Sequence, residues 1–150
     1  MIIDVAKKDF VKNCLREFLL KNSTSAHGMF GFTRIGLDAI GIDYWYQILP
    51  DLTRNGANTW AARMSPLNSS EVRGEQYIQQ LEEVMAISGA QKLNLIGHSH
   101  GANAVRYAAG VMPEHVASVI TVAGANRGTI AATDVLKVAA KTGTSELLNI

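Results

Sequence analysis

The most constraining stretch of this chain is Leu93-Asn94-Leu95-Ile96-Gly97-His98-Ser99-His100-Gly101-Ala102. An apolar run suited to a buried strand meets a Gly-x-Ser-x-Gly pentad, then an alanine-rich helical segment from Ala102 to Ala109. Passing from strand to helix in so few residues predicts a tight turn that holds its serine in a strained conformation. Gly97 and Gly101 lack a Cβ, which lets strand and helix approach closely. The turn lifts the Ser99 hydroxyl above the sheet edge. It also sets the His100 N–H at a helix N-terminus, where unpaired amides and the helix dipole favour negative charge. Ser99 is thus a candidate nucleophile and His100 a candidate oxyanion donor.

The surrounding pattern gives this junction a fold. Ala57 to Met64 reads as a short strand, about Ser69 to Ser88 as a long helix, Lys92 to Ile96 as a strand, Val116 to Val122 as a third strand, and about Ala131 to Lys141 as a last helix. Strand and helix alternate, which argues for an α/β domain with a mostly parallel sheet and helices on both faces. In the long helix, Asn68 with Glu71 resembles a capping box, Val72, Ile78, Leu81, Val84 and Met85 form the inward stripe, and Gly89 is the stop. Tyr44 to Leu52 reads as helix, with Pro50 either in a first turn or marking a break, and Gly56 placed to end it. Residues 1–25 stand apart. Val5 to Leu20 has the apolar spacing of an amphipathic helix, suited to packing on the domain or to a membrane surface. Lys21-Asn22-Ser23-Thr24-Ser25 reads as a polar linker.

Composition narrows the function classes. The chain has 150 residues, enough for one domain, and a net charge of +1, which does not point to nucleic acid. The single cysteine, Cys14, excludes an intrachain disulfide and a cysteine-based metal site. No metal or cofactor is expected from these residues. No run reaches the roughly 18 apolar residues of a membrane span, and the N-terminus as written is not a secretory signal. Gly124-Ala125-Asn126-Arg127-Gly128 lacks the spacing of a dinucleotide loop.

A serine nucleophile needs a second oxyanion donor, a base and an orienting acid. His27-Gly28-Met29-Phe30-Gly31 is the candidate second loop, with the Met29 N–H as donor and His27 ordering the loop rather than acting as base. Gly28 supports the same loop. Arg73 either braces this loop or pairs with a nearby acid. After Ser99 the acids are Glu114, Asp134 and Glu146, and the histidines are His100 and His115. His115 reads as a surface-loop residue, and Asp134 follows it. No catalytic acid-histidine pair is expected within this chain.

Four segments together resemble the bacterial triacylglycerol lipases of the Pseudomonas type, which have the α/β-hydrolase fold. They are His27-Gly28-Met29-Phe30-Gly31-Phe32, Asp43-Tyr44-Trp45-Tyr46, Ser70-Glu71-Val72-Arg73-Gly74-Glu75-Gln76 and Leu93 to Gly101. The resemblance runs over about residues 26 to 130 and implies that 26–150 is the N-terminal part of such a domain. It implies Ser99 as nucleophile, Met29 and His100 as oxyanion hole, and an acylglycerol or ester substrate at a lipid–water interface. It also implies secretion, a mobile lid, a structural calcium ion in the full-length family, and often a dedicated foldase chaperone. The family's catalytic aspartate, histidine and calcium ligands follow the matched region. Its apolar strand before the His-Gly pair is replaced here by Asn22-Ser23-Thr24-Ser25-Ala26, so a central strand is expected to be degraded or missing and the fold incomplete. The alternatives are a catalytically inactive remnant used in binding or assembly, and a short-chain esterase.

Overall fold

The computed structural model describes residues 22–37, 40–128 and 130–143. The helix expected from Val5 to Leu20 lies outside them. Four parallel strands form the main sheet: β1 (Ser23–Ala26), β4 (Thr59–Ala62), β5 (Leu93–His98) and β6 (Val116–Val122), in the order β4-β1-β5-β6. Between β1 and β4 lie a small antiparallel pair, β2 (Arg34–Ile35) and β3 (Ile42–Asp43), and helix α1 (Ile48–Arg54). Helices α2 (Ser70–Ser88), α3 (Gly101–Val111) and α4 (Ile130–Thr142) follow β4, β5 and β6.

Strand alternation divides the core between two faces. Leu93 and Leu95 of β5 pack with Tyr77, Ile78 and Leu81 of α2 and Val105 of α3. Ile96 points the other way, to Trp45 and to Leu49 of α1. Helices thus cover both faces, as the alternating pattern predicts. Pro50 lies in the first turn of α1, and Gly89 caps α2 in the left-handed region at φ +69°.

The segment read as a linker is a central strand. Ser23 to Ala26 are all buried, and β1 pairs in parallel with β4 on one side and β5 on the other. Apolar periodicity fails here because both neighbours supply the backbone partners while the side chains stay small. The Tyr77 hydroxyl adds a hydrogen bond to the Thr24 carbonyl, at 2.8 Å. The small residues suit a close approach: a Cβ on Gly101, at the start of α3, would collide with the carbonyls of Ala26 and His27. The fold therefore begins before residue 26, and the expected gap in the sheet is filled.

Helix α2 departs from its sequence reading at two points. Its N-cap is Ser69, whose hydroxyl accepts from the Val72 N–H, while Asn68 Oδ1 accepts from the Ser69 N–H. Its buried stripe is Arg73, Gly74, Tyr77, Ile78, Leu81 and Val84, whereas Val72 is 42% exposed. Hydrophobicity alone selected Val72. The helix is rotated so that Arg73 and Gly74 face inward, with Gly74 against the ring of Tyr107 in α3.

Gly101→Ala is expected to destabilise the protein by about 2 kcal/mol or more, because the new methyl group meets backbone that cannot yield. Gly110→Ala, in open space on the same helix, is expected to be neutral or stabilising by up to about 1 kcal/mol. Urea unfolding of both variants checks the contrast.

Candidate active site

Two chain segments meet because two strands end in register. Ala26 of β1 lies beside Gly97 of β5, so His27-Gly28-Met29 leaves the sheet next to His98-Ser99-His100. The chain then departs toward α1 on one face after β1 and toward α3 on the other after β5. Such a reversal at the carboxyl ends of parallel strands opens a crevice.

Ser99 has φ +53°, in the left-handed region that non-glycine residues seldom adopt. Neighbours hold it there. Its N–H donates to the Val122 carbonyl of β6 at 2.9 Å, and its carbonyl accepts from the Ala102 N–H at 3.0 Å. A Cβ on Gly97 would lie 2.6 Å from the Gly101 carbonyl oxygen, so both glycines of the pentad are needed for the strand-to-helix approach.

Arg73 ties the two segments together. It is 1% exposed. Its Nη2 donates to the carbonyls of His27 at 2.6 Å and Gly28 at 3.1 Å, and its Nη1 donates to His100 Nδ1 at 2.7 Å. Among the described residues it forms no ion pair. Of the two sequence readings, bracing the loop is the one its contacts match.

These bonds aim the backbone. The Gly28 carbonyl also accepts from His27 Nδ1 at 2.9 Å and from the Gly31 N–H at 3.2 Å. A trans peptide directs its N–H opposite to its carbonyl. The Met29 N–H, which shares that peptide, therefore points away from Arg73. Among the described residues neither the Met29 nor the His100 amide donates to a protein acceptor.

Partners determine the histidine tautomers. The Met64 N–H donates to His27 Nε2 at 3.2 Å, so the proton is on Nδ1 and goes to the Gly28 carbonyl. Arg73 donates to His100 Nδ1, so Nε2–H donates to the Ser70 hydroxyl at 3.0 Å, which also accepts from Asn103 Nδ2 at 3.2 Å. Burial, and then the Arg73 cation, lower the pKa of His100 below its ordinary 6.5. Burial is also the largest cause of the lowered pKa of His27, with the Arg73 cation acting in the same direction. At neutral pH and above, both rings are therefore neutral in the fold.

The other histidines are engaged elsewhere. His98 Nδ1 lies 2.5 Å from the Tyr44 hydroxyl, which accepts from the Gly28 N–H at 3.0 Å. His115 sits in a short turn before β6, with Nδ1 on the Gln91 carbonyl at 3.0 Å. It lies at the opposite end of the sheet from Ser99, roughly 20 Å away along a six-residue strand. Among the described residues no side chain hydrogen-bonds Ser99 Oγ, and no cluster of three His, Cys, Asp or Glu side chains is placed to hold a metal ion. Sequence reasoning missed Ser70, Asn103 and Tyr44. Tyr44 and Ser70 fall within segments that carry the family resemblance, but nothing local linked any of the three to the pentad.

Because His27 and His100 are neutral in the fold, the unfolded chain takes up protons first as the pH drops below 6.5. Stability is complete above that value and is lost as the pH falls through the lowered folded values. Melting temperatures at about pH 7.5 and about pH 5.5 are expected to show this loss, and His100→Gln is expected to reduce it. An unchanged pH dependence in that variant would contradict the role given to His100.

The model of the α/β hydrolase fold matches residues 26–143. A triacylglycerol lipase of Vibrio cholerae is 47% identical over 106 residues, which are 71% of this chain and 33% of that protein. One from Pseudomonas fragi is 42% identical over 102 residues, covering 68% of this chain and 33% of that protein. The chain thus spans about a third of the length of these relatives. Among solved structures, a Bacillus licheniformis lipase superposes with a TM-score of 0.60 at 18% identity, over 86% of this chain and 50% of that one. An extracellular α/β-hydrolase from a Paenibacillus species gives 0.61 at 9% identity, over 83% and 52%. With its parallel sheet and its strained serine between β5 and α3, this chain belongs to the α/β-hydrolase fold family.

Proposed function

We propose that this chain supplies the nucleophile and oxyanion half of a serine ester hydrolase of the triacylglycerol-lipase type. The observation that carries the reading is the pairing of a strained Ser99 with two amides, Met29 and His100, that have no protein acceptor among the described residues. Similarity to triacylglycerol lipases supports an acylglycerol or related ester as substrate. The same similarity supports a secreted protein, and the resemblance of the four segments to the Pseudomonas-type lipases implies a dedicated foldase partner.

In this mechanism Ser99 Oγ attacks the ester carbonyl carbon, and the carbonyl electron pair moves onto oxygen. The Met29 and His100 N–H groups hold that oxyanion, an effect worth about 2.7–4 kcal/mol per donor in known cases. The buried Arg73 cation favours negative charge at the same place. Collapse expels the alcohol and leaves an acyl group on Ser99; water then releases the fatty acid. The Ser99 proton goes to a histidine base. All four histidines of this chain are hydrogen-bonded elsewhere, which supports a base supplied from outside these 150 residues.

A fluorophosphonate probe is expected to label the 150-residue chain slowly at Ser99, and Ser99→Ala to abolish labelling. No labelling of the parent chain would favour a remnant used in binding or assembly. Turnover of a nitrophenyl ester by the isolated chain is expected to be at least about a thousandfold below that of an intact enzyme. Robust turnover that is lost in Ser99→Ala would overturn the claim of an external base.

A further inference from the structure

Tyr44 lies between the two segments that carry the oxyanion donors, and it has no part in the chemistry described above. The Gly28 N–H donates to Tyr44 Oη at 3.0 Å. The Tyr44 hydroxyl proton then has one acceptor among the described residues, His98 Nδ1 at 2.5 Å. One hydroxyl therefore joins the loop after β1 to the residue preceding Ser99.

The joined peptide is the one that Arg73 holds from its other end. The carbonyl of the His27–Gly28 peptide accepts from Arg73 at 2.6 Å, and its N–H donates to Tyr44. A planar peptide gripped at both ends cannot rotate without breaking one bond. The space around Gly28 is equally closed. A Cβ there would lie 2.9 Å from Tyr44 Oη and 3.0 Å from Ser99 Cβ. The next peptide carries the Met29 N–H. The Tyr44 ring is held in place by edge contacts with Phe32 and Trp45.

We infer that Tyr44 is a positioning residue for ester hydrolysis, fixing the Met29 N–H relative to Ser99 by clamping the His27–Gly28 peptide to His98. This inference rests on the function proposed above. It differs from the role of Arg73, which holds carbonyls from the α2 side; Tyr44 holds an amide from the opposite face. It also assigns His98 the Nε2–H tautomer.

Tyr44→Phe keeps the ring and removes only the hydroxyl. In the 150-residue chain, its maximal rate of fluorophosphonate labelling at Ser99 is expected to fall about ten- to a hundredfold, with the half-saturating probe concentration unchanged. Nitrogen NMR is expected to show His98 Nδ1 unprotonated in the parent chain and partly protonated in the variant, with faster exchange of the Gly28 amide. Tyr46→Phe, at an exposed tyrosine next to Trp45, is expected to match the parent. If Tyr44→Phe shifts half-saturation alone, or labels like the parent, the positioning role is wrong while the Ser99 reading stands. If the parent chain does not label, the Ser99 reading fails and the role of Tyr44 falls with it. Should Tyr44→Phe fail to fold, the parent spectrum decides: a protonated His98 Nδ1 overturns the inference, and an unprotonated one supports it.

Discussion

A buried guanidinium organises this molecule. Arg73 lies in the core with no carboxylate partner among the described residues, and an unpaired buried cation is costly. Two carbonyl oxygens and an imidazole nitrogen offset that cost, and all three belong to the segments beside Ser99. Arginine suits the task because its planar fork presents several fixed donors at once, whereas a lysine ammonium is a single compact point of charge. The Arg73 Nε has no partner among the described residues, and the bonds of its two terminal nitrogens also set the tautomer of His100 and turn the Met29 amide away from the core. Stability and site geometry therefore depend on the same few bonds.

Those bonds form only because β1 and β5 end level with one another. The register of Ala26 with Gly97 places both loops at one end of the sheet. The close packing there depends on small residues: Ser23, Thr24, Ser25 and Ala26 in β1, and Gly97 and Gly101 in the pentad. The hydroxyls of Thr24 and Ser25 are buried without partners among the described residues. Such groups are ordinarily destabilising. Their small size is what the packing against α3 uses.

The pentad and its flanks were legible because their signals are local. An apolar run, two glycines and an alanine-rich segment impose strand, turn and helix in that order. Val116–Val122 was legible for the same reason, as a β-branched run with turn signals before it. The central strand was not legible, because Ser23-Thr24-Ser25 has no apolar alternation and owes its strand state to neighbours on both sides. Val72 and Arg73 show the same limit in a helix. Periodicity selects the valine, while the true phase follows from what Arg73 meets across the sheet end. Tyr44, Ser70 and Asn103 carried no local sign of their role, since their partners lie 16 to 54 residues away in sequence.

The sequence by itself determined that a serine would sit in a strained turn between a strand and a helix, with a helix-start amide beside it. Covalent geometry and the lack of a Cβ at two glycines are enough for that. Tertiary structure decided the rest. It made a polar stretch the middle of a sheet, turned an arginine inward, and brought Gly28 against Ser99. These outcomes depend on hydrogen bonds and volumes shared between distant segments, and such bonds exist only once the chain has closed around them.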